Sequence, residues 1–460
     1  MEFLSIPFVV CLVLTFVLYY MRTGRRWQHG VLLLASCVFI GYYHLVYLLF
    51  ALGITLLTFY AGLWLHRKRD TRLAPWIFGG SVGALVGIWL VARYWSPLFP
   101  LGISFYTFQA LSYLIEIYWD EEPERSLPDF TLYMLLFMKF LSGPIERGFD
   151  LLPQLKAGKA FSYDRVVDGM KVVAWGAFLK LVIADRIAPS LDGVFDAPRV
   201  ASGMQLLTAT MLYPIQLYAD FAGYTCMAIG FGQMFGFRLS PNFNRPFLSQ
   251  TTGELWRRWH ISLSFWVRDY VFMPLSAELR NWGRWGVYAT LLVTFVVIGV
   301  WHGAGWTFAL YGLFQGVVVC YETMAGKWRT RMLGRLPHGV SALLMQLRTY
   351  LLFALSLLFF RVAKVEDTFY IYRHLLDGFN TNIKELRLGL TDFYWIVFAV
   401  AVVMMFAGEQ LNGRFDLKAW SCSRPTWLRW SMYVGTVVLI FLFGAIRCGE
   451  FYLYSILKQA

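Results

Sequence analysis

The sequence predicts an all-α, polytopic integral membrane protein, and three observations predict it. Hydrophobic residues fill 58% of the 460 positions and charged residues only 15%, where soluble domains carry about a quarter charged. Apolar runs long enough to cross a hydrocarbon core of about 30 Å recur along the whole chain. The formal charge of +13 is divided among short clusters between those runs. That distribution follows from the positive-inside rule and excludes a basic nucleic-acid-binding domain.

The first run, "FLSIPFVVCLVLTFVLYY" (3–20), has no basic residue ahead of it and no small-residue cleavage pattern behind it. It therefore reads as a retained span rather than a secretory signal. The clusters "RTGRR" (22–26), "RKRDTR" (67–72), "KWRTRMLGR" (327–335) and the stretch from Arg414 to Arg429 mark cytoplasmic loops and put the N-terminus outside. Between the first two clusters, residues 31–65 are mostly apolar, enough for a helical hairpin at about 1.5 Å of rise per residue. Further spans are expected at 76–93, 101–118, 203–222, 285–301, 303–321, 341–361, 391–408 and 430–446. With short candidates at 130–142 and 170–185, about 10–12 crossings result.

Two regions fit poorly as simple spans. "FTLYMLLFMKFLSGPIERG" (130–148) is short and carries Lys139 before a Gly-Pro break, and 237–282 is rich in Arg, Trp, Pro and Asn. Polar or non-helical chain at membrane depth survives only where protein buries it or it lines a cavity, so both are expected to wall an internal site. No internal repeat, linker or low-complexity tract divides the chain, and residues 1–460 read as one integral domain. Its largest loop, 365–389, has an amphipathic pattern suited to the outer surface. The six cysteines (Cys11, Cys37, Cys226, Cys320, Cys422 and Cys448) are scattered without C-x-x-C spacing, which argues against a disulfide framework or a zinc site.

The densest polar chemistry lies in "NFNRPFLSQTTGELWRRWHISLSFWVRDYVFMPL" (242–275). On a helix running from about Glu254 onward, Trp256, His260 and Ser264 would share one face, with Arg257, Arg258 and Arg268 on other faces or at the ends. Such a helix also fits an interfacial element whose arginines reach towards headgroups. "GVWHGAGW" (299–306) places His302 after an apolar run. A histidine there can be a satisfied structural residue, but an ionisable group inside a span is first a functional candidate. Gly303, Ala304 and Gly305 would let another chain or a ligand approach closely. Together the two histidines suit general-base activation of a hydroxyl nucleophile, since burial favours neutral imidazole. Nearby arginines suit a phosphorylated donor such as a coenzyme A thioester.

The chain resembles the membrane-bound O-acyltransferase (MBOAT) family, in its bacterial branch with the alginate O-acetyltransferase membrane subunit. The teichoic-acid D-alanylation acyltransferase is a more distant relative. The resemblance is carried by "PLGISFYTFQALSYLIEIY" (100–118), "LSGPIERG" (141–148), "FLKLVIADRIAP" (178–189), "YPIQLYADFAGYTCMAIGFGQMFGFRLSPNFNRPF" (213–247), "ELWRRWHISLSFWVRDYVFMPL" (254–275), "GVWHGAGWTFALYGLFQG" (299–316) and "LFFRVAKVEDTF" (358–369). It implies a bundle of helices around a central tunnel open to both sides of the membrane. His302 then corresponds to the catalytic histidine, and His260 to the second signature position, where other branches carry Asn or Asp, in an assisting role. Asp220, Tyr224, Asn244, Ser264, Arg257, Arg258, Arg268 and Trp301 become donor-binding or tunnel-lining candidates. Asp220 equally suits a structural partner for an arginine. Cys226 stands where alginate-type relatives carry an acidic residue, which bears on the polymer more than on the chemistry.

The resemblance further implies no bound cofactor or metal, a cytoplasmic acetyl-CoA or other acyl thioester as donor, and a location in the bacterial inner membrane. It implies polymer export machinery and a periplasmic SGNH-type acyltransferase as partners, and an exported polysaccharide or cell-wall polymer as final acceptor. The alternatives from other classes are a glycan or lipid transporter or flippase and a noncatalytic scaffold of an export complex. Transporters show matching broken helices in repeated halves, and no such symmetry is visible here.

Overall fold

The structure, a computed structural model, describes residues 3–94, 102–333, 335–378, 383–414, 420 and 423–445. Cys422 and Cys448 lie outside them. The described chain is helical, and it clusters into two compact units, one formed by Met1–Val173 with Tyr224–Pro241 and the other by Ala174–Gly223 with Asn242–Ala460.

In the first unit, Ser5 accepts a hydrogen bond from the Phe8 amide and opens α1 (Ile6–Met21), as a serine N-cap does. The expected hairpin forms from α2 (Arg25–Tyr43) and α3 (Leu45–Arg67), parted by His44 in an extended conformation. α4 (Ala74–Tyr94) follows, then α5 (Ile103–Tyr118), which is short for a span and buried over nearly its whole surface. The irregular stretch after it is two short helices, α6 (Leu127–Leu135) and α7 (Phe137–Phe140), broken at Leu136. An amide freed there, that of Phe137, donates to Ser36 Oγ at 3.1 Å, so this donor is not left bare in an apolar setting. Lys139 is buried with a polar partner, its Nζ donating to Gln109 Oε1 at 2.8 Å. Glu146, also buried, accepts from the amide and hydroxyl of Ser240. α8 (Gly148–Leu155) and most of α9 (Tyr163–Phe178) complete this unit with the end of α11 (Gly203–Met234).

In the second unit, a π-helical turn (Leu179–Ala184) leads into α10 (Asp185–Phe195). Lys180 Nζ lies 2.7 Å from Asp185 and 2.6 Å from Asp220. Asp220 is fully buried on the first part of α11, so this cation neutralises a carboxylate that the interior would otherwise reject. Short helices α12 (Thr252–Arg258), α13 (Ile261–Val267) and α14 (Met273–Glu278) lead to a tight pair, α15 (Arg284–His302) and α16 (Trp306–Leu333). α17 (His338–Arg361), α18 (Val365–His374), α19 (Asp392–Arg414) and α20 (Thr426–Phe443) follow. The stretch expected to be a loop at 365–389 is thus partly helical, because Glu366 and Asp367 at its start and Arg373 and His374 at its end favour a helix.

Among the described residues, seven helices are long and apolar enough to cross a membrane, two in the first unit and five in the second, with α1 a shorter apolar helix. The other expected spans form helices that are shorter, interrupted or less apolar. On α15 the large side chains of Val293, Val297 and Val300 are exposed while Thr290, Thr294 and Phe295 are buried. A helix that turns its aliphatic residues outward and its hydroxyls inward is suited to lipid rather than water.

Candidate active site

His302 is the last residue of α15, and Gly303 continues in an extended conformation before α16 begins at Trp306. Of the two close approaches expected at the small residues around it, the structure shows that of another segment. A Cβ on Gly299 would lie 2.2 Å from the Phe308 carbonyl oxygen, and one on Gly312 would lie 2.3 Å from that of Phe295. A Cβ on Gly303 would meet the Phe308 ring at 2.1 Å. These glycines let α15 and α16 cross at backbone contact; the approaching group at Gly303 is this chain's own Phe308, not a ligand. The consequence for His302 is a position set by the close crossing of α15 and α16.

His260 reaches the same place by another route. The expected continuous helix from Glu254 is interrupted: α12 ends at Arg258, and His260 sits in the left-handed region at φ 45°, ψ 54° before α13 starts. The cause is a segment seventeen residues earlier in the sequence. The Asn244 amide donates to Arg258 O at 3.0 Å, the Ile261 amide donates to Asn242 O at 2.9 Å, and Phe243 and Trp259 form an antiparallel bridge. Asn242 Oδ1 also accepts from the Ser262 amide at 3.2 Å and hydroxyl at 2.6 Å. It therefore caps α13 from outside, in the role an N-cap side chain plays from within. Trp256, His260 and Ser264 consequently do not form one continuous helical face.

The two histidines meet around Trp301, which is buried. Its ring centroid lies 4.6 Å from that of His302 and 6.3 Å from that of His260. Phe221 packs edge-on against His260 at 4.7 Å, while Phe360 at 5.1 Å and Tyr311 at 6.2 Å enclose His302. His260 is only 3% exposed, and burial, with His302 adding to it, pushes its imidazole well below its usual range. It is neutral at physiological pH, so it can donate or accept but carries no fixed charge. Aromatic walls around a pair of imidazoles make a low-dielectric place in which a hydroxyl proton can be taken and a developing charge felt strongly.

Of the remaining candidates, Asp220 is buried with Lys180, a lysine rather than the arginine expected. Arg257 is exposed, Arg258 pairs with Glu254, and Arg268 pairs with Asp269 over the Phe265 ring. Ser264 donates to the Trp259 carbonyl at 3.2 Å, and Asn244 is exposed beside Arg258. Tyr224 belongs to the first unit and stacks on Phe3 at 4.4 Å. Sequence reasoning missed Asn242, Phe221, Tyr311 and Phe360 as members of the surroundings. All four fall inside or beside the quoted motifs, but nothing in a helical or alternating period marks them. It also missed Gln315, which accepts from Trp256 Nε1 at 3.0 Å and donates to Ser356 Oγ at 2.6 Å, tying α12, α16 and α17 together under the site. No cluster able to hold a metal ion is found among the described residues.

Comparison with known proteins places this geometry in context. The profile of the membrane-bound O-acyltransferase family matches residues 123–360, a segment containing both histidines. The probable alginate O-acetylase AlgI of Pseudomonas aeruginosa is 31% identical over 438 residues, spanning 89% of this chain and 82% of that protein. The peptidoglycan O-acetyltransferase of Helicobacter pylori is 27% identical, spanning 79% and 76% respectively. The teichoic acid D-alanyltransferase of Streptococcus thermophilus is 32% identical over 47% of this chain. A family match over half the chain, a relative aligned along most of it and seven membrane-length helices lead to one conclusion: this multi-pass membrane protein belongs to the membrane-bound O-acyltransferase family, MBOAT.

Proposed function

We propose that this protein moves an acetyl group from cytoplasmic acetyl-CoA across the bacterial inner membrane, for O-acetylation of an exported polysaccharide or cell-wall polymer. The observation that carries the reading is the meeting of His302, at the end of α15, and His260, in the break between α12 and α13, around one buried tryptophan, Trp301. Further support comes from the relatives, among them a probable alginate O-acetylase and a peptidoglycan O-acetyltransferase.

In the proposed step, His302 removes the proton of an acceptor hydroxyl, and the hydroxyl oxygen attacks the thioester carbonyl carbon. The C–S bond breaks, the acyl group passes to oxygen as an ester, and the proton on His302 goes to the departing thiolate. His260, held in place by the Asn242 crossing, orients the reactants. Arg257, Arg258 and Arg268 are offered to the phosphates of the donor, and Asp220, Asn244, Ser264 and Trp301 to the tunnel around it. The immediate acceptor is a hydroxyl of a periplasmic SGNH-type partner that completes transfer to the glycan.

The test uses inverted membrane vesicles containing the protein and acetyl-CoA labelled in its acetyl group. Label should leave coenzyme A and appear in ester linkage, and His302→Ala should lower the rate at least about 10²-fold. Wild-type transfer in the His302→Ala protein would remove the assignment.

A further inference from the structure

The first part of α11 carries three polar residues with no part in the step above. Tyr213, Gln216 and Asp220 follow one another at i, i+3 and i+7, on one helical face. Asp220 is held by Lys180. Tyr213 and Gln216 are not held: both are at most 1% exposed, and Tyr213 Oη, Gln216 Nε2 and Gln216 Oε1 lack hydrogen-bond partners among the described residues. Burying an amide with neither end satisfied is costly, and folded chains rarely retain such a group without a use for it.

Position supplies the use. Just beyond this face along the helix, Phe221 packs on His260 at 4.7 Å. At the other end, Tyr213 packs on Phe195 at 5.6 Å, and Phe195 lies under the Arg361 guanidinium at 5.7 Å. The neighbour of Arg361, Phe360, is the ring that touches His302 at 5.1 Å. Tyr213 is also within electrostatic reach of Tyr311, whose ring lies 6.2 Å from that of His302. The unpartnered donors are therefore on the stretch of α11 whose Phe221 meets His260 and whose Tyr213 is joined through Phe195 and Arg361 to the segment that carries Phe360 against His302.

We propose that Tyr213 and Gln216 form the carbonyl-binding wall of the transfer site, the tyrosine O–H and the glutamine amide N–H donating to the acyl thioester oxygen as it becomes an oxyanion. The assignment rests on the acyl-transfer reading. A hydroxyl attacking a thioester pushes negative charge onto that oxygen, and donors already in place before the reaction stabilise it without reorganisation. Among the described residues, the cations beside this face are committed, Lys180 to Asp220 and Asp185, and Arg361 to Asp192 and Asp196. Neutral donors are what remain. Gln216 Oε1 is then free to accept from an amide N–H of the donor's pantetheine arm.

The experiment compares purified full-length wild type, Gln216→Leu, Tyr213→Phe and His302→Ala with acetyl-CoA as the donor probe, reading kcat, KM and thermal midpoint. Gln216→Leu is expected to lower kcat about 10²-fold with KM for acetyl-CoA changed less than about threefold. Its thermal midpoint should hold or rise, because leucine removes an unsatisfied amide at similar volume. Tyr213→Phe should lower kcat about tenfold at unchanged midpoint. Turnover that requires His302 yet survives Gln216→Leu overturns the carbonyl wall alone. So does a loss of rate that comes with a lowered midpoint, which is the signature of a structural glutamine. Wild type that does not turn over acetyl-CoA, or that is indifferent to His302→Ala, overturns the acyl-transfer reading and this wall with it.

Discussion

Asn242→Ala tests whether a distant segment, rather than its own helix, sets the position of His260. The substitution removes the acceptor of two hydrogen bonds from Ser262, at 3.2 Å to the amide and 2.6 Å to the hydroxyl. His260, the residue preceding α13, offers no side-chain cap in exchange. Each bond contributes about 1 kcal/mol net, and a buried donor left empty costs about 1–3 kcal/mol. The expected loss is therefore about 2–4 kcal/mol. Ser262→Ala removes only the hydroxyl bond and keeps the amide bond, so it should cost about 1 kcal/mol. With the cap gone, the main-chain bridge of 242–244 to 258–261 remains but the first turn of α13 loosens, and the His260 imidazole is free to shift with it. Displacement of a positioned group by about 1 Å costs on the order of 10²-fold in rate. Thermal unfolding of the purified proteins in detergent, with acetyl transfer measured on the same samples, gives both numbers. An Asn242→Ala protein as stable as Ser262→Ala, or one with wild-type transfer, would refute the idea that the Asn242 side chain caps α13 and fixes His260.

Three other outcomes follow from the same structure. At position 260, φ is 45°, so His260→Gly should be more stable than His260→Ala by about 1 kcal/mol, since only glycine occupies that region without a Cβ penalty; thermal midpoints of the pair decide it. Gly299→Ala puts a methyl 2.2 Å from a backbone oxygen that cannot rotate away. It should destabilise by about 1–3 kcal/mol, and a midpoint equal to wild type would show that α15 and α16 do not cross at backbone contact. Because folding depresses the His260 pKa, the unfolded chain binds the extra proton. Its contribution to stability is therefore complete above about pH 6.5 and is lost by about 1.4 kcal/mol per unit as pH falls below that value. In a pH series of unfolding, His260→Gln should flatten this acid limb, and an unchanged slope would contradict it.

The sequence makes the solvent and the chemistry legible more readily than the path of the chain. Alternation of apolar runs with basic clusters reads out a multi-pass protein because lipid enforces it residue by residue. His302 and His260 stand out for a similar reason: an imidazole among tryptophans and aliphatic residues is conspicuous against its background. The interruption at His260 is hidden because the apolar spacing of Trp256, His260 and Ser264 is helical, and the competing partner, Asn242 to Asn244, is remote in sequence. Local pattern loses there to a tertiary hydrogen-bond set that no period encodes. The glycines near His302 are ambiguous in the same way, since a small residue announces that something comes close but not what. Here it is the helix partner, through Phe308. Lys180 and Asp220 lie forty residues apart, so their pairing depends on a crossing of elements that only the fold creates.

The left-handed backbone at residue 260 sets which side chains this position will accept. Apart from glycine, the amino acids that enter that region most readily are asparagine, aspartate and histidine. All three offer a hydrogen-bonding group near the main chain, so the conformation acts as a filter that admits polar heads and turns away branched aliphatic ones. A chain that keeps the Asn242 crossing can exchange His260 for Asn or Asp without rebuilding its backbone, which is the same choice of residues that other branches of the resembling family make at the second signature position. The residue at position 260 is thereby interchangeable within limits that geometry, rather than reactivity, has drawn.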